Sequence, residues 1–282
     1  MKKLAIILLA ILLVASFAAC SKEDAADASA NDYAADSTTQ KIETGTLNFE
    51  VYTGDSARIT DYVGLYTAHE VTVPSVVKSG DVELAVEVIG KEAFYYCTAI
   101  TTAILPNTVT IIEDWAFAGC ENLESIVIPA SVKSIGKGAF NGCTSLKSVT
   151  FEAGSAIEII GDYAFNDCYA LETINLPEGL KSIGVESFRD CEALTSVKTP
   201  ASLASIDNMA FYNCTGLNAE GALDLSASVN ITVTVEDGVE TAAIGEFVFS
   251  GINKEFITVP EDADSAIAKY VAAMRVDEAD AE

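Results

Sequence analysis

Ile112-Glu-Asp-Trp-Ala-Phe117-Ala-Gly-Cys120-Glu-Asn-Leu123-Glu-Ser-Ile126-Val-Ile128-Pro129 decides the fold, because the chain repeats it. Phe94, Phe117, Phe140, Phe165, Phe188 and Phe211 recur at intervals of 23, 23, 25, 23 and 23 residues. Three residues after each stands Cys97, Cys120, Cys143, Cys168, Cys191 or Cys214, and three further on Ile100, Leu123, Leu146, Leu171, Leu194 or Leu217. Self-similarity at a fixed period of about 20–29 residues marks a solenoid, whose units bury their apolar faces only against neighbouring units.

Each unit reads as three pieces. Leu123-x-x-Ile126-x-Ile128 alternates with period two, a short strand with Ile126 and Ile128 on one face. Pro129 ends it, as Pro106, Pro177 and Pro200 do elsewhere, since proline cannot donate to a ladder. Val132-x-x-Ile135-Gly136 supplies a second inward pair. Lys137-Gly-Ala-Phe140-Asn-Gly-Cys143 is too short and glycine-rich for a stable helix, which predicts one tight helical or 3₁₀ turn. Stacked copies should form a parallel sheet along one side, with Phe, Cys and Leu as internal columns.

The pattern Ile-Gly-x-x-Ala-Phe-x-x-Cys-x-x-Leu-x-x-Ile-x-Leu-Pro resembles the BspA-like leucine-rich repeat family of bacterial cell-surface proteins. The match runs from Ile89 to Leu217, with degenerate copies on both sides. Ile244-Gly-Glu-Phe-Val-Phe249-Ser-Gly-Ile252 is a last copy with isoleucine in place of cysteine, and the stretch from Ile59 to Pro74 resembles the usual opening repeat. The resemblance implies a right-handed leucine-rich repeat solenoid of the β/α superhelix type, a cell-surface setting, and a role in binding and adhesion rather than a reaction.

The expected organisation is a leader (1–19), a disordered tether (20–45), an N-terminal cap with the degenerate first repeat (46–88), regular repeats (89–217), and a C-terminal region (218–282). Met1-Lys-Lys followed by an apolar run ending at Ala19 is a signal peptide in form, short of a comfortable membrane span. Phe17-Ala18-Ala19-Cys20 resembles a bacterial lipobox, which makes Cys20 the lipidation site; Phe17 departs from the usual aliphatic residue. Ser21-Lys22-Glu23-Asp24 is similar to a surface-export signal of Bacteroidetes lipoproteins. Residues 23–40 are mostly Ala, Asp, Ser and Thr and cannot bury enough apolar area to order themselves. Extended, the stretch from Ser21 to Gly45 would reach about 80–90 Å.

Thr46 to Tyr52 alternates like a strand and opens the cap. The one 25-residue interval comes from the segment Phe151–Ile160, whose two extra residues belong in a surface loop. After Leu217 the period breaks. Asn230 to Val235 and Val239 to Ala243 read as an inserted hairpin turning at Glu236-Asp-Gly238, and Ala266 to Met274 as an amphipathic capping helix with Asp264 or Ser265 at its start.

The chain has 282 residues, with 16 basic against 42 acidic, and a formal charge of −26. Loss of 1–19, which carries Lys2 and Lys3 and no acid, takes this to −28. Such a field repels nucleic-acid phosphates and anionic lipid heads, so the membrane is reached through the lipid anchor alone. No calcium-loop, metalloprotease, nucleophile-elbow or phosphate-loop motif is present, and His69 is the one histidine. No metal, cofactor or catalytic group is expected. The repeat cysteines stack at one lattice position and lack Cys-x-x-Cys spacing, which suits buried free thiols acting as small apolar fillers.

The outward strand positions form two columns. Thr102, Ser125, Ser148, Thr173 and Ser196 make a ladder of hydroxyls; Ile104, Val127, Thr150, Asn175 and Lys198 make the next. Small β-compatible residues on a solvated sheet explain the first column without any ligand. The functional explanation is a polar surface for a host or neighbouring-cell protein, or for a glycan captured in nutrient uptake. Neither column contains the aromatic rings a sugar platform uses. Trp115, Tyr163, Tyr95 and Tyr212 flank the recurring phenylalanines and should sit on another face or partly inside, where they are candidate anchors for a partner with no one of them singled out. A monomeric, surface-anchored protein-binding module is the expected function, with glycan capture as the alternative and hydrolysis the least favoured.

Overall fold

The computed structural model describes residues 41–44, 47–52, 56–62, 69–228, 233–236, 239–242, 244–262 and 264–274. The leader 1–19, Cys20 and the tether as far as residue 40 lie outside the described residues. The chain coils into a parallel β-solenoid of about 7 turns with little helix. Its axis is a stack of aromatic rings. Phe94, Phe117, Phe140, Phe165, Phe188, Phe211 and Phe249 follow one another at centroid separations of 4.7, 5.3, 5.3, 5.3, 5.1 and 6.1 Å. All seven are fully buried. Tyr62 closes the stack at the N-terminal end (5.5 Å from Phe94), and Tyr270 meets Phe249 edge-on at 6.0 Å at the other. Burial of each ring contributes about 1.5–3 kcal/mol.

Two parallel ladders flank this spine, where the repeat predicted one. The first joins the expected strands Glu70–Thr72, Thr102–Ile104, Ser125–Ile128, Ser148–Phe151 and Thr173–Ile174. The second is built from the pairs Ile111–Ile112, Ser134–Ile135, Ile159–Ile160, Ser182–Ile183 and Ser205–Ile206, and continues into the N-terminal cap through Val82–Ile89 and Ser56–Tyr62. Each pair is only two residues long, so its strand character comes from the coils above and below it. The register Ser134↔Ile159, Ile160↔Ile183 passes straight through the 25-residue coil. The extra residues therefore sit in a surface loop, where Ala153 and Gly154 are exposed.

The phenylalanine segment is not a 3₁₀ or α turn. Its amides alternate between two kinds of partner. Ala116, Ala118 and Cys120 donate to carbonyls three residues back, while Trp115, Phe117 and Gly119 donate to Lys137, Ala139 and Asn141 of the next coil at 2.8, 2.7 and 2.7 Å. A continuing helix keeps every amide beyond its first turn internal; here every other amide goes to join coils. The geometry requires a left-handed backbone two residues before and two residues after each phenylalanine. Glu92, Trp115, Tyr163, Glu186, Met209 and Phe247 take the first position, and Tyr96, Asp167, Asp190 and Asn213 the second, with φ between 52° and 58°. A side chain in that region costs about 1–2 kcal/mol, offset by the inter-coil bonds it allows.

The six repeat cysteines are buried thiols outside any disulfide. Beyond filling space, each thiol from Cys120 onward donates to the phenylalanine carbonyl of the preceding coil: Cys120 to Phe94, Cys143 to Phe117, Cys168 to Phe140, Cys191 to Phe165 and Cys214 to Phe188, at 3.0–3.3 Å. Burial pushes the Cys143, Cys168 and Cys191 thiols well above the ordinary range, so little thiolate exists at any physiological pH. A thiol-reactive disulfide reagent at pH 8 is expected to leave all six repeat cysteines unmodified in the native protein and to modify all six in denaturant. Rapid native modification would contradict this packing.

Among the described residues one buried hydroxyl has no partner. The residue before each spine phenylalanine is alanine in five coils (Ala93, Ala116, Ala139, Ala164, Ala210) but Ser187 in another, fully buried with an unsatisfied Oγ. Ser187→Ala removes the orphan and keeps the shape, so we expect about 1–2 kcal/mol of added stability in urea titration.

The ends differ from the repeats. Lys41–Thr44, which the sequence placed in the tether, pairs antiparallel with Leu47–Val51, so the cap starts at Lys41. Arg58 ties cap to coil: its guanidinium pairs with Glu50 within the cap and with Glu113 of the repeat region at 3.3 Å. At the other end the predicted hairpin is present as Val233–Glu236 against Val239–Ala242. The capping helix spans Ala266–Ala273, with the Ser265 hydroxyl accepting from the Ala268 amide. Ile267 and Val271 are buried against the last coil.

Candidate interaction surface

The outward faces of the first ladder carry the residues singled out by the repeat. Backbone register places Thr102 beside Ser125, Ser125 beside Ser148, Ser148 beside Thr173, and Thr173 beside Ser196 through a single bridge. Glu70 extends the column at its N-terminal end, opposite Thr102. Ser125, Thr173 and Ser196 are exposed, while Thr102 and Ser148 are half-buried. Thr150, Asn175 and Lys198 of the second column are all exposed, and Thr150 lies in register with Val127. All eight lie on the outward side, and Phe94 to Phe211 fall inside as expected.

The ladder has a break that sequence reading missed. After Thr173–Ile174, the strand Val197–Lys198 turns to pair with Leu223–Asp224, which pairs in turn with Ile257–Thr258. The Val197 and Thr199 amides donate to Ala222 and Asp224. Only the single Thr173–Ser196 bridge still joins this strand to its predecessor. At the join Lys198 faces Asp224 at 3.7 Å, and the Ser226 hydrogen bond, aided by Lys198, holds the Asp224 carboxyl below its ordinary range.

Composition along the face is graded. Ile104 and Val127, 46% and 50% exposed, form an aliphatic patch at the N-terminal half. The next residues in the column are Thr150, Asn175 and Lys198. A rim of alternating charge borders it, where Lys147 pairs with Glu124 at 3.4 Å. Exposed pairs of this kind contribute little stability. Beside the rim a shallow groove of about 480 Å³ is lined by His69, Thr98, Ala99, Thr101, Asn122, Glu124 and Ser145. His69 Nδ1 lies 3.3 Å from the Ala99 carbonyl, and the neighbouring Thr101 hydroxyl donates to the His69 carbonyl. Both contacts are structural. Among the described residues no group of three His, Cys, Asp or Glu side chains is placed to hold a metal ion. What the surface offers is a stiff array of hydroxyl, amide and aliphatic groups at fixed spacing.

Trp115, Tyr163, Tyr95 and Tyr212 lie on the phenylalanine-turn side, half-buried. Two cations sit over rings there: Lys137 Nζ is 5.5 Å from the Tyr163 centroid, and the Arg189 guanidinium is 5.3 Å from that of Tyr212.

Comparison with known proteins agrees with this architecture. Residues 87–218 match, in six copies, the family model described as BspA type leucine rich repeat region. A leucine rich cell surface protein from Faecalibacterium prausnitzii A2-165 is similar in structure, with a TM-score of 0.62 and 26% identity over 79% of this chain. The chain spans 55% of that protein's length. The Treponema pallidum leucine rich repeat protein gives a TM-score of 0.63 and 27% identity, covering 77% of this chain and 92% of its own. No curated protein matches in sequence. The fold is thus that of a leucine-rich repeat solenoid, whose residues 87–218 are similar to the BspA type of that repeat.

Proposed function

We propose that this chain is a lipid-anchored module displayed at the bacterial cell surface, where the outward face of its first ladder holds a protein of the host or of a neighbouring cell. The observation that carries the reading is the exposed pair Ile104 and Val127, set among Thr102, Ser125 and Thr150 on a backbone fixed by neighbouring coils. An aliphatic anchor ringed by small polar groups on a rigid support is the anatomy of a protein contact, in which a few desolvated residues supply most of the affinity. The surface holds its groups at fixed positions, so little ordering cost is added on binding. The acidic charge disfavours nucleic acid and anionic lipid as partners. Anchoring rests on Phe17-Ala18-Ala19-Cys20, and display is supported by the description of the Faecalibacterium relative as a cell surface protein.

Binding of the purified protein to immobilised extracellular-matrix and bacterial surface proteins tests the contact. Val127→Glu and Ile104→Glu are expected to weaken capture at least about tenfold while changing stability by no more than about 0.5 kcal/mol. Capture unaffected by both would sink the reading of this face. The anchor has its own test: Cys20→Ala should abolish incorporation of labelled fatty acid and release the protein from membranes.

A further inference from the structure

The phenylalanine-turn side carries a feature that neither the spine nor the strand face uses. Trp115 and Tyr163 occupy the same lattice position two coils apart, with Gly138 between them. At the usual spacing of parallel strands, two coils span about 10 Å along the axis. Both residues sit in the left-handed region, φ 57° and 56°, a conformation Gly138 adopts at φ 60° without strain. The backbone thus favours glycine at this position, and the chain places large aromatic rings there instead. Each ring is half-buried.

Their support is specific. The Trp115 indole lies against the Gly138 backbone so closely that a Cβ there would overlap its ring atoms. In the parallel column, Tyr96 (54% exposed, φ 54°) lies in the same way over Gly119, whose Cβ would fall 2.8 Å from the tyrosine ring. The glycines let the rings lie flush on the solenoid with one face on backbone. Around them the surface is polar: Asn141 and Asn166 are half-buried, and the exposed Tyr169 hydroxyl donates to Asp167 at 3.0 Å. Lys137, whose Nζ lies 5.5 Å from the Tyr163 centroid, has to swing off the ring for a sugar to stack there and then serves as a flexible donor.

From this arrangement we infer that Tyr96, Trp115 and Tyr163 form a stacking platform for an extended neutral polysaccharide lying along the solenoid axis. Rings in two neighbouring columns, Trp115 and Tyr163 in one and Tyr96 in the other, with amide and hydroxyl groups between them, match the alternating C–H faces and hydroxyl edges of linked pyranoses. The backbone positions of Trp115 and Tyr163 are two coils apart, about 10 Å, the length of a disaccharide unit. A protein partner is a poorer fit, because rings lying flush offer neither a protruding anchor nor a pocket for one. The net acidity of the chain disfavours uronic-acid and sulfated polymers. This goes beyond the protein-contact reading of the strand face and is independent of it.

Trp115 is the only tryptophan in the chain, so its emission reports on this face alone. The full purified chain is titrated with laminarin, mannan, xylo-oligosaccharides and cello-oligosaccharides, and with polygalacturonate as the acidic counterpart. A saturable emission change with at least one neutral probe and none with polygalacturonate is expected. Trp115→Gly and Tyr163→Gly adopt the residue that Gly138 already provides, so both should fold with unchanged circular dichroism and an undiminished unfolding midpoint. Each should weaken binding by about tenfold or more, the loss of one stacked ring, in affinity electrophoresis. Val127→Glu, on the strand face, should bind the same polysaccharide as the parent. No response to any neutral probe, binding retained in folded Trp115→Gly, or an emission change produced only by a matrix protein would each overturn the assignment.

Discussion

Phe165→Ala is expected to lower the unfolding free energy by about 3–5 kcal/mol in urea, as large-to-small changes do where surroundings cannot collapse. Phe165 lies parallel to Phe140 and within 11° of parallel to Phe188, 5.3 Å from each. The neighbouring rings cannot move in to fill the gap. Each is fixed by its own coil's amides, which bond to the next coil's carbonyls. The substitution therefore leaves a void and removes two ring-ring contacts, each worth about 0.5–1.5 kcal/mol beyond burial. A loss below about 1 kcal/mol would mean that the stack is not continuous at this coil.

Gly138→Val should cost about 2–4 kcal/mol, for two separable reasons. A β-branched residue at φ 60° is strained whatever surrounds it, and its Cβ would overlap the Trp115 ring. Gly142→Ala separates the effects. It shares a left-handed backbone, φ 69°, but an added Cβ would meet only Gly119 backbone atoms at 3.9 Å. That change should cost only the conformational term, about 1–2 kcal/mol. Displacement of the indole in Gly138→Val should also shift the Trp115 emission to the red, which Gly142→Ala should not do. Equal costs and unchanged emission in both variants would contradict the ring's position against Gly138.

Much of this architecture is legible in the residues because a solenoid makes long-range contacts periodic. Phe117 meets Phe140 for the same reason that Phe140 meets Phe165, so one spacing discloses the spine, the thiol column and the strand register together. The hairpin at Val233–Ala242 and the helix at Ala266–Ala273 were legible from local chemistry, alternation in one and the Ser265 cap in the other.

The missed features depend on what another coil contributes. The second ladder consists of two-residue pairs such as Ser134–Ile135, too short to register as strands without their neighbours. The left-handed turn positions were half-visible. Gly119, Gly142, Asp167, Asp190, Asn213 and Gly251 are residue types that favour that conformation, and they recur two residues after the phenylalanine. Glu92, Trp115, Tyr163 and Met209, two residues before it, carry no such signal. Nor could the break after Ile174 be read, since it arises from the pairing of Val197–Lys198 with a strand beyond the regular repeats. The outward residues were placed on the correct side because alternation fixes facing. What distinguishes the two faces emerged only with exposure: aliphatic Ile104 and Val127 on one, and rings lying on glycine on the other.

The coils are interchangeable units stacked on one aromatic axis. Deleting residues 121–143, a full 23-residue period, joins Cys120 to Thr144 in phase and leaves the spine one ring shorter. Urea unfolding of this variant should remain a single cooperative transition, with a smaller denaturant dependence in proportion to the lost surface. Deleting only residues 121–131, about half a period, should leave the protein unfolded, because strand and turn positions then fall opposite one another. If the in-phase deletion proved as disruptive as the half-period one, the chain would not be a stack of equivalent coils, and the faces assigned to it would have no common scaffold.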